Sequence, residues 1–199
     1  MHTLVIDTAT KACSVALYDG ESVVASEHQV IGRGHAERLL PLIAGMPGRG
    51  KADRIFVDIG PGSFTGIRVG VAAAKALGFA WQVPVHGYSC LQLVAAMAHK
   101  QSGNDEAVNV VMTGGHGEYF YQRFDENCLP ASEIRSVTPE KVEKEIGTSW
   151  VAGDIAIGNH LDILPDASHW HLIAGVPPLT PSPAYGRAPD AKLPQARPA

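Results

Sequence analysis

The residues best placed for chemistry lie in a glycine-rich segment, Gly60–Gly66 (GPGSFTG), between an apolar strand-like run and a helical run. A strand, a glycine-rich loop and a helix in that order can bind phosphate, because free backbone N–H groups and the helix dipole face the anion. The spacing departs from the dinucleotide pattern GxGxxG, and the lysine of the GxxxxGK(S/T) loop is missing. Ser63 lacks the flanking glycines of a GxSxG nucleophile elbow. The loop is therefore either a structural turn or a weak phosphate contact through Gly60, Gly62 and Ser63.

Asp7 and Thr8 form a second candidate site at the end of the first predicted strand. In sugar-kinase and actin-like folds, an aspartate and a hydroxyl at this position face a magnesium–phosphate group. An aspartate at a strand end is also a common turn former, since its side chain bonds to nearby backbone N–H groups. Both interpretations, turn former and weak phosphate contact, stay open for these two residues.

The nine histidines are scattered and form no HExxH pattern. Two close pairs occur, His86 with Cys90 and His169 with His171, but neither has clear further ligands, and a metal site needs three or four. We therefore expect no metal site. No nucleophile, base and orienting group fall together either, so nothing predicts a catalytic residue. His35, at a helix start, is either an interface residue or a solvated cap.

Composition and charge exclude several classes of protein. The chain has 199 residues, 45% of them hydrophobic and 18% charged, which suits one compact domain or two small ones. Its net charge of -4 and the absence of a Lys/Arg-rich run argue against strong RNA binding by this chain alone. No signal peptide or apolar run of about 20 residues is present, so we expect a soluble, cytoplasmic protein. The three cysteines are an odd number and widely spaced, and we expect buried, reduced thiols at Cys13, Cys90 and Cys128.

The first half of the sequence alternates between strand and helix patterns. Asp19 and Gly20 signal a hairpin, so the chain should open with an antiparallel three-stranded meander. Pro41 should kink or shorten the first helix, and Gly78 suits the end of the second. Small residues in the second helix allow another backbone to approach closely. The predicted elements are strands Thr3–Ile6, Ser14–Tyr18, Ser22–Val30, Arg54–Ile59 and Pro84–His86, and helices His35–Ile43, Thr65–Leu77 and Ser89–Lys100.

A polar stretch at Gln101–Glu106 separates two halves, which we take as residues 1–103 and 104–199. The second half looks like a shortened copy of the first, and the order of elements is that of a ribonuclease-H-like α/β layer. From Pro177 to Ala199 prolines recur too often for helix or sheet, so we expect an extended tail that packs on the body or is partly disordered. The predicted elements of this half are strands Asn109–Met112, Glu118–Phe124 and Trp150–Asp154, and a surface helix at Thr138–Gly147.

The motifs resemble those of the TsaB (YeaZ) family in order and spacing. MHTLVIDTATKACSVAL is similar to that family's opening strand pair, GHAERLLPLI to its first helix, and GPGSFTGIRVGVAAAKALG to its most diagnostic stretch. MTGGHGEYFYQRF departs from the family's pattern at its start but retains Gly117, Glu118 and Tyr119. PAYGRAPDAK resembles a C-terminal Tyr-Leu-Arg segment, with Gly186 in place of the leucine. The resemblance covers most of the chain and is most specific in the first half.

The resemblance implies an α/β fold of the ribonuclease-H-like or actin-like ATPase (ASKHA) type, with two lobes of which the second is shortened. It implies a non-catalytic paralogue of TsaD, whose HxxxH metal motif would fall near Ser89–Val94, where this chain has no histidine. Such a subunit is a scaffold or activator that pairs with TsaD, recruits the ATPase TsaE, and forms a homodimer when alone. The complex transfers a threonylcarbamoyl group to the adenosine beside the anticodon of tRNA, so tRNA is contacted only through the complex. No cofactor of this chain is implied.

The resemblance also places the contact with TsaD on the first two helices, His35–Ile43 and Thr65–Leu77. Two other functions remain as alternatives. A peptidase-like enzyme would need a metal pair or a nucleophile, and a weak nucleotide-binding ASKHA protein would use Asp7, Thr8 and the Gly60–Gly66 loop. The predicted interface residues are His35, Leu39, Ile43, Phe64, Arg68, Val71 and Lys75.

Overall fold

The computed structural model describes residues 1–104 and 106–185, which fold into two five-stranded sheets and four α-helices. Two 3-10 segments, Pro47–Gly50 and Ala167–Ile173, complete the regular structure of these ranges. The elements are β1 (His2–Asp7), β2 (Ala12–Asp19), β3 (Ser22–Val30), α1 (His35–Gly45), β4 (Arg54–Asp58), α2 (Phe64–Trp81), β5 (Val85–Tyr88), α3 (Cys90–Ser102), β6 (Val108–Thr113), β7 (Tyr119–Phe124), β8 (Arg135–Val137), α4 (Pro139–Ile146), β9 (Trp150–Gly153) and β10 (Asn159–Asp162).

The two sheets repeat one topology. The first has the order β3-β2-β1-β4-β5, with β1 to β3 antiparallel and β4 and β5 parallel to β1. The second, read as β8-β7-β6-β9-β10, has the same order and the same strand directions. This confirms the predicted two-lobed fold of the ribonuclease-H-like or actin-like ATPase type. The second lobe is the shorter one, since residues 154–158 join β9 to β10 where α2 joins β4 to β5.

The two lobes share an apolar core. Leu4, Val5 and Ile6 on β1 are fully buried, as expected for a central strand covered on both faces. Helix α3 contacts β6, β7 and β9 of the second lobe, and its Val94 belongs to the same buried cluster as Val110 on β6. The lobes are therefore held together by packed side chains as well as by the chain connection.

The C-terminal part of the described chain returns to the first lobe. Trp170 packs against Phe56, with ring centroids 4.4 Å apart, and against Tyr18 at 5.7 Å. Further on, Leu179 pairs with Gly87, and the N–H of Ala184 donates to Ile59 O at 2.7 Å. The sequence prediction placed residues 104–199 in the second half. Part of that range, around Trp170 and Leu179–Ala184, thus packs on the first lobe.

The tail predicted from Pro177 onward packs on the body of the protein as far as Tyr185. The rest of the tail, residues 186–199, lies outside the described residues. That range includes Gly186 of the PAYGRAPDAK segment. In the described ranges, no helix has both the length and the apolar character needed to cross a membrane.

Two predicted helix ends were wrong. Helix α1 continues through Pro41 to Gly45, and Pro41 lies on its exposed side, where solvent can satisfy the freed carbonyl. Helix α2 passes Gly78 and ends at Trp81, with Gln82 in the left-handed conformation at φ 56°. Gly78 therefore lies inside α2 rather than at its end. A glycine is required there because a Cβ would lie 2.3 Å from Val85 Cγ2.

Candidate functional site

The glycine-rich loop closes on the turn that follows β1. The N–H of Ser63 donates to Ala9 O at 2.6 Å, and Thr8 Oγ1 donates to Gly66 O at 2.8 Å. A Cβ on Gly62 would lie 2.1 Å from Ala9 O, and one on Gly66 would lie 2.1 Å from Thr8 O. The glycines are therefore required for contact between two backbone segments.

This contact favours the structural-turn interpretation of the loop over phosphate binding. Asp7 and Thr8 are fully buried, and a Cβ on Gly60 would lie 2.7 Å from Ala184 O. Ser63 uses its N–H on the β1–β2 turn, and its hydroxyl accepts from the N–H of Gly66 at 3.2 Å, which caps α2. The five candidate phosphate contacts do not converge on open space.

A buried carboxyl pair, which the sequence did not reveal, lies beneath the loop. Asp58 Oδ1 accepts from the N–H groups of Gly60 at 2.7 Å and Cys90 at 3.2 Å, while Asp7 Oδ2 accepts from Tyr88 Oη at 3.0 Å. Burial, followed by the charge of Asp58, raises the pKa of Asp7 well above its usual range. Burial also raises the pKa of Asp58, to about 7, against the opposing effect of its hydrogen bonds. The pair is thus at least partly protonated at neutral pH.

A cleft of about 380 Å³ separates the loop from the second lobe. Lys11 and Asp154 face each other across it at 3.8 Å, and the Asp154 carboxylate accepts from the N–H and the hydroxyl of Thr113 at 2.7 and 2.9 Å. Gly62 and Ser63 line the cleft, whereas Asp7 lies beneath the loop. Within residues 1–104 and 106–185, no group of three His, Cys, Asp or Glu side chains could hold a metal ion.

Four of the predicted interface residues lie on the inner face of α1 and α2. His35, Leu39, Ile43 and Val71 are buried within this chain, where α1 packs on β2 and α2 on β4. The imidazole of His35 lies 3.1 Å from Ala12 O, so it is a core histidine rather than an interface residue or a solvated cap. These four side chains belong to the core and leave little surface for a partner.

The outer side of the same two helices is exposed and largely apolar. Phe79 is 88% exposed, Phe64 54% and Leu40 50%. The Arg68 guanidinium lies 3.5 Å from the Phe64 ring centroid, and its Nε donates to Tyr185 Oη at 2.9 Å. Phe64, Arg68, Ala72, Ala76 and Phe79 follow one another at steps of three or four residues, so they lie on one side of α2. The sequence analysis did not use this spacing to single out Phe79. We call this surface the α1–α2 face, and it consists of Ala36, Leu40, Ala44, Phe64, Arg68, Ala72, Lys75, Ala76 and Phe79.

Comparisons with known proteins identify the family. A family model described as "TsaD: tRNA N6-adenosine threonylcarbamoyltransferase" matches residues 22–149. A curated relative from Escherichia coli, "tRNA threonylcarbamoyladenosine biosynthesis protein TsaB", is 30% identical over 171 residues, which cover 76% of this chain and 73% of the relative. The Haemophilus influenzae protein of the same name is 32% identical over 198 residues, with 81% and 82% covered. The chain belongs to the TsaB family.

Solved structures extend the TsaB relationship over both lobes. YeaZ from Pseudomonas aeruginosa superposes with a TM-score of 0.78 at 27% identity, covering 92% of this chain and 99% of that one. A second Pseudomonas aeruginosa structure, described as an uncharacterized protein with similarity to peptidase YeaZ, gives a TM-score of 0.76 at 28% identity and covers 94% and 99%. The resemblance inferred from the sequence motifs is thereby confirmed.

The stretch of residues 60–78, which carries the strongest motif resemblance in the sequence, combines the glycine-rich loop and the exposed side of α2. Its glycines pack the loop and α2 against the β1–β2 turn, as shown by Gly70, where a Cβ would lie 2.3 Å from Thr8 Oγ1. Its large exposed side chains, Phe64 and Arg68, begin the α1–α2 face. In this TsaB-family chain, one segment therefore packs the loop against the β1–β2 turn and presents exposed aromatic and cationic side chains.

Proposed function

We propose that this TsaB-family chain is a non-catalytic scaffold or activator in tRNA threonylcarbamoyladenosine biosynthesis, and that it pairs with a TsaD-like catalytic subunit through the α1–α2 face. The observation that supports this most is α2 itself. Its 18 residues include two charged side chains, Arg68 and Lys75, so it is apolar around most of its circumference. Helices of that kind are normally covered on all sides, yet Phe79 is 88% exposed.

The size of the expected contact follows from Phe79. A buried aromatic side chain removes roughly 150–250 Å² from water, and at ~25 cal/mol per Å² this amounts to about 4–6 kcal/mol before the costs of association. Small residues beside it, Ala72 and Ala76, allow a partner helix to approach closely. This surface has the chemistry of the centre of a protein–protein interface, where a few large apolar side chains carry most of the binding.

The proposal that catalysis resides in the partner is supported by two features. The segment where the metal motif of TsaD would fall lies at the start of α3, and Cys90, Leu91, Leu93 and Val94 there are fully buried in the core. The carboxyl groups of Asp7 and Asp58 beneath the loop are also fully buried, so neither can reach a substrate or a metal ion in the cleft. In the proposed complex, the TsaD-like subunit performs the threonylcarbamoyl transfer to the adenosine beside the anticodon.

The remaining parts of the proposal concern the other components of the complex. A net charge of -4 makes tRNA contact by this chain alone unfavourable, so we place tRNA binding on the complex, in the cytoplasm. A TsaE-like ATPase joins after the two subunits have paired. Without the partner, the α1–α2 face pairs with its own copy, because a two-fold contact buries Phe79 on both chains.

A binding experiment with matched variants tests the pairing. Phe79→Glu and Leu40→Glu should each weaken co-elution with the purified TsaD-like subunit by at least about 30-fold, the effect of losing a hot-spot residue of ~2 kcal/mol. Leu129→Glu is the control, since Leu129 is as exposed as Leu40, 50% in each case, but lies in the turn between β7 and β8. Thermal melting checks that all three variants fold.

The outcome is decisive in either direction. Loss of binding in both helix variants, with the control unchanged, supports the α1–α2 face as the partner surface. Full binding by both folded helix variants would remove the face from the proposal.

A further inference from the structure

The three cysteines differ sharply in environment. Cys13 and Cys90 are fully buried, as the sequence predicted. Burial raises the pKa of Cys13 to about 11 and that of Cys90 well above its usual range, and the Cys90 thiol donates to Pro61 O at 3.1 Å. Buried thiols with raised pKa are unreactive. Cys128 departs from the prediction, because it is half-buried in the turn between β7 and β8.

Cys128 lies beside an imidazole. Its Sγ is 3.1 Å from Nδ1 of His99, a residue in the last turn of α3. His99 is only 8% exposed, and its ring stacks on Trp150 at 5.4 Å and 15°. Its Nε2 has no hydrogen-bond partner among the described residues, so Nδ1, directed at the thiol, is the ring nitrogen with a contact. The ring is held in place by packing.

The turn that carries the thiol is also held in position. Gln92 Nε2 on α3 donates to Cys128 O at 3.0 Å, and the N–H of Cys128 donates to Asp125 O at 3.1 Å. Cys128 adopts a left-handed backbone conformation, φ 56°, which is uncommon for a residue with a Cβ. Such a backbone persists only where its surroundings enforce it. The distance between thiol and imidazole is therefore fixed by two packed elements.

The pair lies between the C-terminal end of α3 and a turn that carries two acidic residues. His99 lies at the C-terminal end of α3, whose partial negative charge stabilises a cation. Two acidic residues share the turn with the thiol, Asp125 and the exposed Glu126. The Asp125 carboxylate accepts from the N–H groups of Asn127 at 2.9 Å and Leu129 at 2.8 Å, so it is directed at the turn's own backbone.

We propose that Cys128 and His99 form a thiol–imidazole pair that makes Cys128 a site of covalent modification by small disulfides. The thiol proton moves to His99 Nδ1, and the thiolate attacks one sulfur of the disulfide. A bond forms between that sulfur and Cys128, the original S–S bond breaks, and the other half leaves as a thiolate that takes the proton from the imidazolium. The disulfide supplies the oxidising equivalents, and no further reactant is needed.

Thiol titration of the full chain with dithiodipyridine, a small coloured disulfide, tests the proposal. One thiol per chain should react in a fast phase at pH 7, and Cys128→Ser should remove that phase. His99→Asn should slow it about tenfold at pH 7 and much less at pH 9, where an ordinary thiol of pKa about 8.5 ionises without help. Reaction of Cys128 at the rate of free glutathione would overturn the proposal, as would an unchanged rate in the folded His99 variant.

The pH profile of the wild-type chain gives an answer that does not depend on a substitution in the core. An unassisted thiol loses about tenfold in rate for each pH unit below its pKa of about 8.5. For the paired thiol, the fast-phase rate should fall less than tenfold between pH 8 and pH 6. A fall of a hundredfold across that range would show that the imidazole does not take up the proton and would reject the pair.

Discussion

Replacing Asp58 by asparagine should change how the stability of the protein depends on pH. In the folded chain, Asp58 Oδ1 accepts from the N–H groups of Gly60 and Cys90, while Oδ2 has no partner among the described residues. The same holds for Asp7 Oδ1, so one proton between the two carboxyl groups would satisfy both oxygens. Asparagine keeps the acceptor for both N–H groups and presents an amide donor towards Asp7 without needing a proton.

The size of the effect follows from the pKa of Asp58. Its value rises from 3.8 to about 7 on folding, so between these limits the folded state binds a proton that the unfolded state has released. Stability from this group is therefore fully present below about pH 3.8 and is lost progressively as the pH rises from there to about 7. Two pH units from 5 to 7, at 1.36 kcal/mol each, give about 3 kcal/mol. Asp7, whose pKa is raised well above its usual range, extends the loss to higher pH.

Urea unfolding between pH 5 and pH 8 measures this difference. The unfolding free energy of the wild type should fall relative to Asp58→Asn by about 3 kcal/mol over that range, with m-values unchanged. Parallel pH profiles for wild type and Asp58→Asn would refute the shared proton.

Three further predictions concern packing and assembly. Gly62→Ala should lower the melting temperature strongly, because its Cβ would lie 2.1 Å from Ala9 O, whereas Gly45→Ala, with open space around it, should be nearly neutral; equal melting temperatures would contradict the loop packing. Val71→Arg should unfold the chain, as measured by circular dichroism, since Val71 is buried. A folded Val71→Arg variant would contradict the placement of Val71 in the core. Light scattering should show a dimer for the chain alone and a monomer for Phe79→Glu, and a dimer for both would place self-association elsewhere.

The order of strands and helices was predictable because its signals are local. The turn at Asp19 and Gly20, with Gly20 at φ 60°, sets the hairpin between β2 and β3. The glycine-rich loop marks the start of α2, and Ser63 caps it. Each of these features depends on neighbouring residues, so a single sequence is enough to recognise it.

The buried side of α2 was not predictable from periodicity. The helix is apolar on nearly all sides, so the pattern does not distinguish Val71, which packs in the core, from Phe79, which faces outward. The sheet makes that choice, because Gly70 and Gly78 allow only one side of α2 to approach it closely. For the same reason, the sequence alone did not separate the buried Val71 from the exposed Phe79.

Long-range contacts account for the other omissions. Asp7 and Asp58 are far apart in the sequence and come together only because β1 and β4 pair in parallel. The return of Trp170 to Phe56 likewise leaves no local signature. Cys128 and His99 meet through the packing of α3 on the second sheet, which no spacing pattern reports.

The central claim, that this chain supports catalysis without performing it, is tested most directly by reconstituting the reaction from purified parts. Formation of threonylcarbamoyladenosine on tRNA would be measured with the TsaD-like subunit, the TsaE-like ATPase and the threonylcarbamoyl donor, with and without this chain. We expect no product from this chain alone, strong stimulation when it is added to the other components, and loss of that stimulation in Phe79→Glu. Product formed by this chain alone, or equal yield in its absence, would show that the chain is not a non-catalytic activator.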